Sequence, residues 1–283
     1  MEKGSRRVVG YLFKHFIDMR PLLVPKYILA HQKSAKLILE NISDVRQKIQ
    51  ALKKDKIDVS VIIPAFNEEE SILSTISSIS NTISNFSVEI IVVDNNSSDL
   101  TKDYIIKSGA TYVHEKKPGV DNARTAGLSH ASGIYIISAD ADTIYSPKWI
   151  DELILPLQKN DKVAISYGKF AFTPQHYSRL TLYIYELISD LYKRLNVINK
   201  DKAMYVYGCS SAYRREHVIA VNGYEHPIGL NEDGYLAVKL RDKFGLMHKV
   251  SRKKSYAWTS SRKFLEDGSL IQRLMKKLKS FFS

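Results

Sequence analysis

The chain of 283 residues holds a single cysteine, Cys209, which rules out an internal disulfide framework and a cysteine-built zinc centre. No apolar run approaches the length of a membrane-spanning helix, and the N-terminus has no signal-peptide layout, so a cytoplasmic location is the expectation. The histidines are scattered and include no H-x-x-x-H pair for one face of a helix; His248 alone is kept as a candidate third metal ligand. No internal repeat or low-complexity tract is present. Acid is scarce at both ends: residues 1–56 carry 13 Lys/Arg against 5 Asp/Glu, and residues 249–283 carry 10 against 2. Between them, residues 57–248 carry 19 against 23, so the net +12 belongs to the ends and the middle is mildly acidic. A nucleic-acid-binding core would carry positive charge around its own groove, and no nucleic acid partner is expected. Basic ends on an acidic core point instead to an anionic membrane surface, touched peripherally from the cytoplasmic side.

What is present is an ordinary globular composition, 44% hydrophobic and 25% charged, enough for one large core or two small ones. The β-branched run Val59–Ile63 is stopped by Pro64, and Ile72, Ile76, Ile79 and Ile83 behind it mark one face of a helix, with Asn67 and Glu70 as its cap and capping-box partner. A second buried strand, Val88–Val93, leads through a polar turn to a short helix ending near Gly109. "DNARTAGLSHASG" reads as a small-residue helix closed by Gly133, followed by the strand Ile134–Ser138. Ser146 and Pro147 read as cap and first turn of a helix bearing Trp149, Ile150, Leu153, Ile154 and Leu157. Further on, residues 163–172 read as a strand. Leu180, Tyr183, Ile184, Leu187, Leu191 and Leu195 read as the core face of a long helix, and residues 207–225 as strand, helix and Gly turn. Strands alternating with helices predict a mostly parallel α/β sheet, whose ligands bind at the carboxyl ends of its strands.

Those ends are where the polar residues gather: Asn67 and Glu68 after the first strand, Asp94 to Asp99 after the second, Asp140 and Asp142 after the third. Two carboxylates one residue apart repel unless a cation sits between them, and a divalent ion held by oxygen ligands answers that need. Turn chemistry explains one such strand end; three at one edge of a sheet favour a metal. The pair Glu232–Asp233 begins a helix, where carboxylates are favoured by the helix dipole, so simple capping competes there with a chemical role. Cys209 reads as packing within a buried strand.

In order, "SVIIPAFNEEESI", "EIIVVDNNSSDLT", "KPGVDNARTAGLSHASGIYIISADADTIYSPKWI", "GCSSAYRREHVIAVNGYE…NEDGYLAVKL" and "TSSRKFLEDG" resemble family 2 of the glycosyltransferases with a GT-A fold, over residues 58–268. The resemblance implies a GT-A fold within residues 57–268, with a nucleotide-sugar-binding half (57–160) and an acceptor-binding half (161–268). A basic helical extension, 1–56, precedes it and a basic amphipathic helix, 269–283, follows. It implies that Pro64, Ala65, Phe66 and Glu68 line the nucleotide, that Asp94 and Asn95 read base and ribose, and that Arg124 and Ala141 belong to the same donor site. Asp140 is implied to contact ribose or metal, Asp142 to bind metal directly, and Arg262 and Lys263 to hold the diphosphate. Asp233 is implied as the general base, with Glu232 beside it. The sequence departs from the family pattern at Asn95, where many members carry a second Asp, at Thr125 in place of Asn, and at Lys263 in place of Arg.

The chemistry so implied is transfer of a sugar from a nucleoside diphosphate to an acceptor hydroxyl, on a glycan or a lipid-linked carrier, with Mg²⁺ or Mn²⁺ easing the departing phosphate. One base and no enzyme nucleophile imply inversion at the anomeric carbon. A sugar-1-phosphate nucleotidyltransferase is the competing enzyme reading, but it wants a Gly-rich phosphate loop, and "PAFNEEE" has no glycine. The remaining alternative is an inactive fold that binds membrane or nucleic acid through its ends. There Leu270, Leu274, Leu278 and Phe281 form an apolar stripe among basic residues, and Leu12, Phe13, Phe16 and Ile17 a similar patch. Both segments can equally be helices packed on the domain.

Overall fold

The structure is a computed structural model that describes residues 20–196, 201–251, 255–266, 270 and 272; the side chains of 193–196, Lys263 and Glu266 lie outside the description. Among the described residues ten strands form two sheets. β1 (Val59–Ala65), β2 (Val88–Asp94), β3 (Thr111–His114), β4 (Tyr135–Ser138), β6 (Val163–Tyr167), β8 (Ser211–Arg214) and β9 (Leu246–Lys249) make the large one, ordered β3-β2-β1-β4-β8-β6-β9. β5 (Thr143–Ile144), β7 (Phe170–Phe172) and β10 (Ala257–Thr259) make the small one, ordered β5-β10-β7. β1 to β4 run parallel and β8 is the antiparallel member. The mostly parallel α/β sheet predicted from the alternating pattern is therefore present, with β8 as its exception.

β1 shows why it lies at the centre. Val61 and Ile63 face the helices Ile72–Ser80 and Trp149–Lys159, whereas Ile62 faces the opposite layer with Ile91, Val93 and the helix Val120–His130. A strand covered on both sides needs apolar residues at successive positions, which is what its sequence supplies. The helix Thr101–Ser108 ends at Gly109, whose φ of 84° needs no Cβ penalty, as expected from sequence. The predicted face of Trp149, Ile150, Leu153, Ile154 and Leu157 is buried, although the helix starts two residues after Pro147.

Several local expectations are corrected. Asn67 is no helix cap: it takes a left-handed φ of 52°, and its Oδ1 accepts from the Ser98 N–H, pinning the β1 and β2 loops together. Ser71 occupies the cap position instead, and Ile83 lies beyond the helix end, 66% exposed. Residues 163–172 form two strands in different sheets, because the chain turns at Gly168. Cys209 sits in a buried 3₁₀ turn, Gly208–Ser210, just before β8.

The long helix Arg179–Asn196 exists, but it buries the other side. Leu182, Tyr185, Glu186 and Ser189 are buried, whereas Leu180, Ile184 and Leu191 point outward. Glu186 tolerates burial because Arg179 binds both its oxygens, at 2.9 and 2.7 Å, and the Phe172 N–H donates to it.

The described part of the N-terminal extension lies on the domain. Helices Lys26–His31, Ala35–Leu39 and Ile42–Leu52 precede β1; Ile28 packs with Trp258 and Ala171, and Val45 and Ile49 join the main core. Arg20 donates to both Asp190 oxygens, at 3.1 and 2.7 Å, and to the Phe170 carbonyl. The patch Leu12–Ile17 lies outside the described residues, as do Leu274, Leu278 and Phe281; Leu270 is buried against Leu182, Tyr185 and Phe264. Among the described residues no helix is long and apolar enough to cross a membrane.

Candidate active site

The carboxyl ends of β1, β2 and β4 open into one cleft of about 1320 Å³. Pro64, Ala65, Phe66 and Glu68 line it from β1, Asn95 from β2, Arg124 from the helix Val120–His130, and Asp140, Ala141 and Asp142 from the turn after β4. Glu232 and Asp233 reach it from the helix Glu232–Phe244, whose cap Asn231 accepts from the Gly234 N–H, and Arg262 reaches it after β10. Residues as far apart in sequence as Pro64 and Arg262 thus share one cavity, as their order in the sequence suggested.

Two predicted residues stand apart, and one lies outside the description. Asp94 is buried below the lining, where its carboxylate accepts from the Ser97 N–H and the Tyr112 hydroxyl. The Lys263 side chain lies outside the described residues. His248 lies on β9, the last strand of the large sheet, and is not among the cleft residues, so it is no third metal ligand. Asn95 does line the cleft, but its amide is engaged, donating to the Glu115 and Lys117 carbonyls and accepting from the Gly119 N–H.

The acidic turn is fixed on both sides. Thr75 Oγ1 donates to the Ala141 carbonyl and accepts from the Thr143 N–H, while the Asp140 N–H donates to the Tyr145 hydroxyl. Asp142 Oδ1 accepts from Thr143 and Thr259 hydroxyls at 3.2 and 3.1 Å, and Oδ2 accepts no hydrogen bond among the described residues. An oriented, largely buried carboxylate with one oxygen uncommitted suits a hard divalent cation. Among the described residues no three His, Cys, Asp or Glu side chains cluster as a metal cage.

The central element is Arg124, fully enclosed. Its Nη2 lies 3.2 Å from Asp140 Oδ1 and 3.4 Å from Asp233 Oδ2, and its Nε 3.8 Å from Glu232 Oε1. Burial pushes the guanidinium pKa down, but Asp233 and Asp140 outweigh that and raise it, so the group stays charged. Asp233 is pushed up to about 7, chiefly by burial, against the pull of Arg124 and with Glu232 and Asp140 adding to the rise. Gly208 makes room for this pair: a Cβ there would overlap Asp233 Oδ2 and Arg124 Nη2. Arg124 itself is walled in below by the Ser138, Tyr213 and Tyr224 hydroxyl cluster, with the Tyr224 ring 5.9 Å from its Cζ.

Opposite the acids, Phe170, Phe172, Tyr207 and Phe264 give the cleft an aromatic wall, and Phe66 stands 60% exposed at the rim. Arg262 Nη2 lies 2.9 Å from both oxygens of Glu68, a carboxylate whose pKa is raised by burial and by Asp142 nearby. Thr75, Tyr145, Gly208 and Thr259 were not found by sequence reasoning. Thr75, Gly208 and Thr259 touch the acids only through the folded chain, while Tyr145 does so within the same turn, five residues after Asp140.

A profile of the family described as glycosyl transferase family 2 matches residues 60–221. Among curated relatives, a dolichol-phosphate mannosyltransferase of Pyrococcus furiosus is 33% identical over 112 residues, covering 38% of this chain and 32% of that protein. An undecaprenyl-phosphate 4-deoxy-4-formamido-L-arabinose transferase of an Enterobacter species is 29% identical over 181 residues, covering 61% of this chain and 52% of that one. The chain thus spans about a third to a half of the curated relatives it matches. In fold it is similar to glucosyl-3-phosphoglycerate synthase of Mycobacterium tuberculosis, solved with Mn²⁺, UDP-glucose and phosphoglyceric acid. The TM-score is 0.53 at 23% identity, over 84% of this chain and 82% of that one.

Proposed function

The chain belongs to glycosyl transferase family 2, and from that premise we propose that its cleft transfers a sugar from a nucleoside diphosphate to an acceptor hydroxyl with inversion. The observation that carries this reading is the pair of acid sites in one cleft, Asp140–Asp142 and Glu232–Asp233, joined through Arg124. In this reading residues 57–160 hold the donor and 161–268 present the acceptor. Phe66 offers a face to the base, Pro64 and Ala65 the edge of the strand, and Arg262 a cation to the diphosphate. Asp142, assisted by Asp140, holds Mg²⁺ or Mn²⁺, which when bound offsets the negative charge that collects on the departing phosphate.

At the other end, Asp233 takes the proton of the acceptor hydroxyl as its oxygen bonds to the anomeric carbon. The bond from that carbon to the phosphate oxygen breaks on the opposite face, so configuration inverts. A neutral hydroxyl fits this end better than an anion, because Glu232, Asp233 and Asp140 crowd it with acid and Arg124 is already shared among them. The aromatic wall suits the apolar face of a sugar ring or the first part of a lipid carrier; the relatives named for dolichol phosphate and undecaprenyl phosphate support the carrier, and the crowded acids favour one that presents a sugar hydroxyl rather than its phosphate.

Calorimetry with UDP and GDP tests the donor half. Binding is expected to tighten markedly when Mn²⁺ or Mg²⁺ replaces a chelator, and Asp142→Asn should remove that difference; equal affinity in both buffers would dismiss the metal assignment. A second measurement concerns the closed pair at the rim. Because Arg262 donates to both oxygens of Glu68, Glu68→Gln should weaken that hold and tighten metal-free pyrophosphate binding, whereas in an Arg262→Gln background the same change should have no effect. A gain that persists without Arg262 would mean that Glu68 acts on the anion directly.

A further inference from the structure

The helix Arg179–Asn196 carries two apolar stripes, and only one is used by the core. Leu182 and Tyr185 pack on Phe264 and Leu270, whereas Leu180, Ile184 and Leu191, with Leu187 between them, recur at spacings of four, three and four on the opposite side. They are 59%, 49% and 54% exposed, an unusual state for a contiguous row of branched aliphatic side chains. The N-terminal segment extends the patch: Arg179 donates to the Pro21 carbonyl, and Leu22 and Leu23 follow at once, the latter 82% exposed.

The charges around the stripe identify what would cover it. The helix has two acids, Glu186 and Asp190, and both are held by arginines, Glu186 by Arg179 and Asp190 by Arg20. No uncompensated carboxylate of this helix therefore accompanies the stripe. In sequence, Lys193 and Arg194 follow Leu191, and the segment that leads to Arg20, residues 1–19, carries 4 Lys/Arg against 2 Asp/Glu. A second copy of the chain, itself of net charge +12, would bring charge of the same sign. An anionic lipid surface brings the opposite sign and a hydrocarbon layer for the leucines.

We propose that the outward stripe Leu180–Ile184–Leu187–Leu191, with Leu22 and Leu23, seats the protein on an anionic lipid bilayer. The surface follows from the helix itself and stands whether or not the cleft transfers sugar. Where it does, the placement is consequential: the inner face of the same helix packs on Phe264, and Phe172 packs on both, the two rings that also wall the cleft. A chain seated on this helix would hold its aromatic wall close to the head groups, where a lipid-linked acceptor presents its polar end.

The test is sedimentation of the full chain with vesicles of phosphatidylcholine alone and of phosphatidylcholine mixed with phosphatidylglycerol. The parent should bind the mixed vesicles, with affinity falling as salt is raised, and bind the neutral ones weakly. The double variant Ile184→Asp, Leu191→Asp should lower the partition coefficient about tenfold or more, since it replaces two inserted side chains with charges of the lipid's sign. Both positions are solvent-exposed, and an unchanged thermal melt would show that the fold survives. Should the variant melt early, Ile184→Cys provides the alternative readout. The one native cysteine is buried, so an environment-sensitive dye attaches at 184 and should shift to the blue with anionic vesicles. Undiminished binding by the double variant, a dye that does not respond, or no binding by the parent overturns the proposal. So does a parent that elutes as a dimer and becomes monomeric on the double substitution, since the face would then belong to a second copy.

Discussion

Asp233→Asn is expected to slow sugar transfer by about 10²–10⁴-fold while leaving metal-dependent donor binding in place. The amide keeps the size of the carboxylate and its place beside Gly208, but it cannot accept the acceptor's proton. The pH profile makes the assignment specific. Burial, with Glu232 and Asp140 nearby, pushes Asp233 up to about 7, so the base is increasingly protonated, and idle, below that pH. The rate should therefore climb with rising pH through about 7 and then level, and this acidic limb should vanish in Asp233→Asn. Glu232→Gln should move the limb downward, because it removes a neighbouring negative charge. A transfer rate in Asp233→Asn equal to the parent's would assign the proton to another group.

Arg124→Met should be the most damaging single change for stability, because it removes the cation from three acids at once and leaves the most enclosed of them, Asp233 and Glu232, facing each other. Removing one member of a buried charge cluster costs about 3–5 kcal/mol, since the remaining charges keep their desolvation penalty and lose their compensation. Urea unfolding in the presence of chelator measures this without any contribution from bound metal. Without Arg124, Asp233 is pushed higher still, so the part of the loss that belongs to this pair should be full at alkaline pH and shrink as pH falls through about 7, where the parent's Asp233 is protonated too. Stability equal to the parent's at neutral pH would mean that water reaches the cluster and that its burial is only apparent.

How much of this was legible in the sequence differs from element to element. β1, β2 and β4 were readable because strands covered on both faces consist of consecutive apolar residues, and the acids at their ends were readable because α/β sheets collect ligands there. β3 was overlooked because Thr111–His114 is short and half exposed, with a single buried residue. The long helix was found, but its faces were exchanged. Periodicity favoured the leucine row, and only the folded chain supplies Arg179, which lets Glu186 lie inside. Asn67 was read as a cap from its residue type, whereas its left-handed backbone serves a loop-to-loop bond with Ser98. The site acids were visible because charge placement is local information. Of the groups that orient them, Thr75, Gly208 and Thr259 act across the fold and leave no local trace, whereas Tyr145 is only five residues from Asp140 and is marked by nothing but its residue type.

The small sheet has a bearing on the order in which the molecule can be assembled. Its strands come from three distant places, residues 143–144, 170–172 and 257–259, and the last of them lies in the middle of the other two. The parallel strands β1 to β4 are complete once residue 138 has left the ribosome, and they can pair through short connections. The turn bearing Asp142 follows at once, but it must wait for β10 to bring the Thr259 hydroxyl and the Ser260 N–H that hold it. The donor-binding framework is thus an early product of synthesis and its working carboxylate a late one, so a nascent chain has a sheet well before it has a site.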